Sequence, residues 1–454
     1  MPALGLGFVG VRVASGFARI ATDNPRAIEI FNCLPEHPWC WGQGFESKRV
    51  EWHQKLELLQ KQPFLMSNST RLYSQLLDLL RQYSNYCDLR HLKVLAWMVS
   101  GLICSGQLSL PAWEPYVQCR AQKAQSVERR WSRFLVNNRI RVEALYVPLV
   151  LVALRGWQNH RLYLALDTTV LWNRYCMIHL CVICCGRAVP LFWRVLEHSS
   201  ATVKFREYKP LLRKARWFLR SHPDVMLLAD RGFANHNLMS WLQASGWHYC
   251  LRLPSDLLLH GPRRYPLELS YLWPTLGEAA FYHNVGLWED GKYHCNLVLA
   301  TVKGVKEPWA VITDESPTLK TLWQYAERFR VEELFLDSKS GAFELEDSRI
   351  NSPEALERLY LVAAVALLYS TTQGLAVQLA GLRQQVDPHW RRGISYLKIG
   401  LRWLKGVLNK GRQLLTPVFL LPRDPQPCFA SLKAEQHYYD RIWFTRIRSK
   451  HCTP

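Results

Sequence analysis

Two short apolar runs decide the fold class: RLYLALDTT at residues 161–169 and VMLLAD at residues 225–230. Each has the length of a buried strand and closes on polar residues. Between them lie two further strand-like runs, YCMIHLCVICC (175–185) and AVPLFWRVL (188–196), with a hairpin turn expected at Gly186-Arg187. A basic amphipathic helix follows, VKFREYKPLLRKARWFLR (203–220). After VMLLAD come a turn and helix, RGFANHNLMSWLQASGW, and one more strand, HYCLRLP. Strands alternating with helices predict an α/β domain. Residues 254–313 are rich in Gly, Pro and aromatics, with short β-like pieces such as KYHCNLVLATV and PWAVIT, and read as an inserted β-rich subdomain. Helices resume at about Thr318 and again over residues 353–382.

Three carboxylates stand out by position. Asp167 is read as ending the first core strand, Asp230 as ending VMLLAD, and Glu332 lies in a late helix. A carboxylate at the end of a buried strand is costly unless it is solvated, paired or bound to a metal. In open α/β sheets that edge is where ligands bind. Either Asp alone reads equally well as a turn residue. The late helix, TLWQYAERFRVEELFLDSK (321–339), discriminates further. On a continuous helix Tyr325, Arg328, Glu332 and Lys339 fall within an arc of about 60° and span about 21 Å. Such a face can bind a metal and grip phosphates beside it. The competing reading is an exposed face on which Arg328 and Glu332 form an ordinary i,i+4 pair.

The spacing Y-x2-R-x3-E-x6-K at Tyr325, Arg328, Glu332 and Lys339 resembles the signature of a large branch of bacterial insertion-sequence DDE transposases. LALDTT around Asp167 and LLADRGF (227–233) resemble the two Asp motifs of that family, and SVERRWSRFLVNNRI (126–140) resembles its N-terminal DNA-binding region. The resemblance covers roughly residues 68–410. It implies a ribonuclease H-like mixed sheet flanked by helices, with a β-rich insertion, a helical N-terminal DNA-binding domain and a helical C-terminal region. It implies that Asp167, Asp230 and Glu332 are catalytic and hold two divalent ions, Mg²⁺ or Mn²⁺. It places Tyr325, Arg328 and Lys339 on DNA phosphates, Trp309 under a flipped base, and Arg129, Arg130 and Arg133 on the DNA-binding helix. For Trp309 a core position is an equal alternative. The activity implied is cut-and-paste transposition, by a homodimer that pairs double-stranded transposon ends before cutting. Two other readings remain open: a metal-dependent nuclease without strand transfer, and a catalytically silent DNA-binding protein or transposition inhibitor.

Composition agrees with a polyanionic partner. The 454 residues include 57 Lys+Arg and 37 Asp+Glu, a formal net charge of +20. At 49% hydrophobic and 12% aromatic the chain is not of the disordered class. The excess cations concentrate in Arg120–Arg141, Lys204–Arg220 and Arg391–Arg412, spread as the wrapping of two DNA ends requires. No run reaches the ~18 apolar residues of a membrane span. The longest, Ala144–Leu154 and Leu359–Tyr369, read as buried core, and a cytoplasmic location without membrane contact is expected. The 13 Cys include a lone C-x-x-C, Cys181 and Cys184, read as buried strand thiols rather than a zinc pair, and Cys33, His37 and Cys40 form no knuckle. The expected organisation is an extension of unclear status (1–65), a helical DNA-binding domain (66–155), a catalytic domain (156–350), a helical C-terminal region (351–415) and a tail (416–454).

Overall fold

The structure, a computed structural model, describes residues 68–117, 121, 123–260, 266–288, 293–302, 307–338, 343–348, 350–388, 394–416, 419–422 and 448–452. The extension 1–65, Lys339, Arg120, Trp390 to Arg392 and most of the tail lie outside the described residues.

Omitting single helical turns, the chain opens with α1 (Asn68–Tyr83), α2 (Leu89–Ser105), α3 (Ala124–Val136) and α4 (Val142–Ala153). It continues through β1 (Leu162–Leu171), β2 (Tyr175–Cys184), β3 (Arg187–Glu197), α5 (Phe205–Phe218), β4 (Val225–Ala229), α6 (His236–Ser245) and β5 (His248–Arg252). The strands β6 (Leu258–His260), β7 (Leu267–Glu268), β8 (Glu278–Leu287), β9 (Tyr293–Ala300) and β10 (Trp309–Thr313) follow. Last come α7 (Leu319–Ala326), α8 (Arg330–Leu336), α9 (Pro353–Leu379), α10 (Tyr396–Lys410) and β11 (Arg448–Cys452).

All these strands form one mixed sheet in the order β3-β2-β1-β4-β5-β10-β9-β8-β6-β7, with β11 paired to β8. Strands β1 to β3 are antiparallel neighbours, and β4 and β5 run parallel to β1. The residues 254–313 read as an inserted β-rich subdomain supply β6 to β10, and they join the main sheet: β10 pairs antiparallel with β5 and carries the sheet onward through β9 and β8. The physical reason lies in β5, whose outer row of backbone donors and acceptors is satisfied by β10. The turn between β2 and β3 falls on Cys185-Gly186, one residue earlier than expected. Both residues are left-handed, at φ 54° and 66°, as a tight hairpin with matching twist requires.

Adjacent side chains on a strand point to opposite faces, and β3 uses both. Phe192 packs on Phe218 of α5, whereas Trp193 packs on Tyr146 of α4 and Tyr360 of α9. On β2, His179 meets Phe335 of α8 and Tyr360 of α9. So α5 covers one face, while α4, α8 and α9 cover the other. Helix α9 is apolar all round, the composition of a core helix. It is buried from Leu359 to Val377. One continuous core joins it to α1–α4 and the sheet, so the helical head and the sheet share a single interior. Its 27 residues are long and apolar enough to cross a membrane, longer than the eleven-residue run read from sequence, because small and weakly polar residues extend it; its apolar window is wholly buried in the fold.

Helix α10 crosses α9 at glycines. A Cβ on Gly374 would stand 1.8 Å from the Tyr396 carbonyl oxygen, and one on Gly400 would stand 1.8 Å from that of Ser370. Cys181 and Cys184 are buried in β2, and burial pushes the Cys181 thiol well above its ordinary value.

Candidate active site beside the end of β4

Asp167 does not end its strand. β1 runs on to Leu171, pairing with β2 throughout, and Asp167 lies opposite His179. What ends there is the other neighbour: the last β1–β4 pair is Leu166 with Ala229. Asp167 and Asp230 are therefore the next residues in a parallel register whose strands lie about 4.8 Å apart. The notch left where β4 stops brings the two carboxylates together.

Glu332 and its neighbours arrive from across the sheet. The expected single helix is broken. After α7 the backbone tightens into a 3₁₀ turn at Glu327–Phe329 before α8 begins. The shared side survives the turn, since Arg328 lies 5.9 Å from the Tyr325 ring centroid and bonds Glu332, but the three side chains differ in burial. Tyr325 is fully buried, Arg328 is 4% exposed, and the Glu332 side chain is 53% exposed. Lys339 lies outside the described residues.

Arg328 is the centre of the arrangement. Its Nη1 donates to Asp167 Oδ2 at 2.7 Å, and its Nη2 donates to Glu332 Oε1 at 3.0 Å. Its guanidinium also lies 4.6 Å from the Phe329 ring centroid. The Tyr325 hydroxyl lies 3.5 Å from Asp230 Oδ1, at the limit of a hydrogen bond. The Thr168 amide donates to Asp167 Oδ1 at 2.8 Å.

Charge and burial oppose each other at this point. Burial pushes the Asp167 carboxyl up to about 6, against the pull of Arg328 and the Thr168 amide, with Asp230 and Glu332 adding to the rise. Burial pushes the Tyr325 phenol up to about 12. Burial works against the Arg328 charge, but Tyr325, Asp167, Asp230 and Glu332 outweigh it and hold the guanidinium above its ordinary value. A buried charge is tolerated because it is paired.

The donor set suits a hard divalent cation: oxygen ligands from three carboxylates, two of them adjacent in register. The geometry is closed around Arg328 instead. Among the described residues no three of His, Cys, Asp and Glu stand close enough together to hold a metal ion. The guanidinium supplies the positive charge that Asp167 and Glu332 share.

Trp309 does not offer an open face. It is 5% exposed at the start of β10, with its ring stacked on Phe329 and edge-on to Tyr325. Of its two readings, the core position is the one adopted, because β10 is buried along its whole length. Arg129, Arg130 and Arg133 lie exposed on α3, whose opposite side buries Val127, Trp131, Phe134 and Leu135.

Two further acids beside this face, Glu333 and Asp337, share one partner. Arg187, the first residue of β3, holds Glu333 at 2.9 Å and Asp337 at 3.6 Å. These pairs fasten α8 to the β2–β3 hairpin and so fix where Glu332 and Arg328 stand. The i,i+4 acids, Glu333 on α8 and Asp337 just past its end, were a usable signal; their cation, well over a hundred residues away, was not.

Residues 173–369 match the model of a family described as the transposase DDE domain. The match takes in Asp230, Arg328 and Glu332 and begins just after Asp167. Among curated proteins none matches the chain. A solved structure to which it is similar is a piggyBac transposase synaptic complex with hairpin DNA, determined by cryo-electron microscopy. The identity is 10% and the TM-score 0.38, over 76% of this chain and 81% of that one.

Proposed function

We propose that this protein is a DDE transposase with a ribonuclease H-like core, which cuts DNA at the ends of an insertion sequence and joins them to a target by phosphoryl transfer. One observation carries the reading. Asp167 and Asp230 are neighbours in register where β4 stops, and Arg328 ties Glu332 to the same point. The family match over the central residues supports it.

In this reading Asp167, Asp230 and Glu332 would hold divalent ions, Mg²⁺ or Mn²⁺. Such ions supply Lewis-acid polarisation and activate the attacking hydroxyl. The chain's own groups do the positioning. Arg328 presents a planar fork that fits a phosphate as well as a carboxylate. A scissile phosphate at the notch therefore competes with Asp167 and Glu332 for the guanidinium. Tyr325 is held beside Asp230, where its hydroxyl can donate to a phosphate oxygen. Arg129, Arg130 and Arg133 contact the DNA backbone from the head. Two copies pair the transposon ends, in the bacterial cytoplasm and away from any membrane.

The test uses DNA flanking the coding region, which should carry paired inverted repeats. Full-length protein, labelled repeat ends, target plasmid and Mg²⁺ are incubated, and products are resolved on a gel. Cleaved and joined product is expected, with neither from Asp167→Asn. Cleavage without joining would support a nuclease, and binding without cleavage a silent DNA-binding protein.

A further inference from the structure

Outside the notch, one concentration of unpaired charge among the described residues lies on α5. Lys209, Arg213 and Arg216 stand at steps of four and three residues, within about 60° of one helical face. Arg220 follows in the turn after the helix. All four are exposed, and none of them makes an ion pair among the described residues. With Trp217 and Trp241 they line an open cleft of about 500 Å³ that no acidic residue borders.

The opposite side of α5 is different in kind. There Lys214 pairs with Glu143 and Arg194 with Glu207, and Tyr208, Leu211, Leu212 and Ala215 are buried. Arg206, one turn before Lys209, is held by Glu207, so the cations of the helix left without a counter-charge among the described residues are Lys209, Arg213 and Arg216. Like charges packed without counterions raise the free energy of the folded chain, so the arrangement fits a polyanion that neutralises them.

The tryptophans say which part of a nucleic acid is held. Trp217 is 60% exposed, but Arg220 lies over its ring at 4.8 Å and donates to its carbonyl oxygen. Trp241 is edge-on to Trp247 and half-buried. Neither ring is an empty platform for an unpaired base. Trp217 instead steadies a guanidinium whose remaining donors point to solvent, an arrangement suited to phosphate oxygens. From Lys209 to Arg216 the helix rises about 10 Å, the axial length of about three successive phosphates on one strand.

The stripe begins next to the candidate active site. Lys209 follows Tyr208, whose hydroxyl accepts from Asn235 Nδ2 at 2.8 Å and whose ring packs on Phe233. Asn235 and Phe233 belong to the loop that follows Asp230. The cleft therefore leads away from the notch, on the sheet face opposite α9.

We propose that the α5 cleft, Lys209, Arg213, Arg216 and Arg220 with Trp217 and Trp241, is a second DNA site that grips the phosphate backbone of duplex DNA running away from the point of cutting. It rests on the DNA-processing reading above and adds a place where the duplex lies.

The test measures binding of full-length protein to a labelled random duplex of about 30 base pairs, by fluorescence anisotropy over a series of salt concentrations. The triple variant Arg213→Ala/Arg216→Ala/Arg220→Ala should raise Kd by about tenfold or more. It should also flatten the slope of log K against log salt by about two to three. The triple Lys variant, which keeps the charge, should restore the slope and guards against loss of fold in the Ala variant. An Ala variant that binds with the wild-type Kd and slope overturns the proposal, as does a single strand bound more tightly than the duplex. Wild-type protein that binds duplex but neither cuts nor joins element ends refutes the transposase reading alone. Wild-type protein that binds no duplex refutes both.

Discussion

Arg328 and the α5 stripe are both cationic and are used in opposite ways. Arg328 is buried, and its charge is met by Asp167 and Glu332 from the same chain. Lys209, Arg213, Arg216 and Arg220 are exposed, with no carboxylate beside them. One region has its counter-charge built in, and the other leaves it to a partner. Each therefore reports on something different when disturbed: the first on stability and on the state of the site, the second on binding and its dependence on salt.

That contrast can be broken most directly at Arg328. Removing one member of a buried, hydrogen-bonded pair leaves an uncompensated charge and costs about 3–5 kcal/mol. Arg328→Ala should lower the urea midpoint accordingly, because Asp167 is then buried without its cation. Were it no less stable than Arg216→Ala, the distinction between the two regions would collapse. Arg328→Lys sharpens the point. One ammonium cannot span both carboxylates as a planar fork does, so a smaller loss of about 1–3 kcal/mol is expected.

On α5 the expected effects on stability are small. Arg213→Ala and Arg216→Ala should each stay within about 0.5 kcal/mol of wild type in the same urea titration, while DNA binding falls. A large loss of stability there would show that the stripe serves packing.

The smallest effect concerns an exposed pair, Arg90 with Asp88 at the start of α2. The hydrogen bond from Arg90 holds the Asp88 carboxyl down at about 2, below its ordinary 3.8. Its folded-state value is the lower one. The stability it contributes is therefore present above pH 3.8 and lost as pH falls towards 2. Arg90→Ala should reduce that acid-side slope slightly. An unchanged slope would show that the pair is formed only part of the time.

Much of the fold was legible in the chain. The runs at 162–171, 175–184, 187–197 and 225–229 are strands because they are apolar, short and bounded by turn residues. Asp230, just past a five-residue buried strand, was legible as a strand-end carboxylate. Asp167 was placed at a strand end for the wrong local reason: Thr168 and Thr169 look like the start of a turn, yet they continue β1 against β2. Only the register between β1 and β4 makes Asp167 an edge residue. Likewise, helical periodicity named Tyr325, Arg328 and Glu332 but assumed an unbroken helix. A 3₁₀ turn at Glu327–Phe329 interrupts it, and packing buries Tyr325 and Arg328 while Glu332 stays exposed.

By itself the sequence determined the elements, the alternation that makes an α/β chain, the excess of cations and the residue types of the site. These are local properties, set by periodicity, turn chemistry and composition. Tertiary structure decided which cations are paired and which are free, that residues 254–313 extend the main sheet, and that Arg328 stands between the carboxylates. Those outcomes depend on contacts between residues as far apart as Asp167 and Arg328, and no local pattern encodes such a distance.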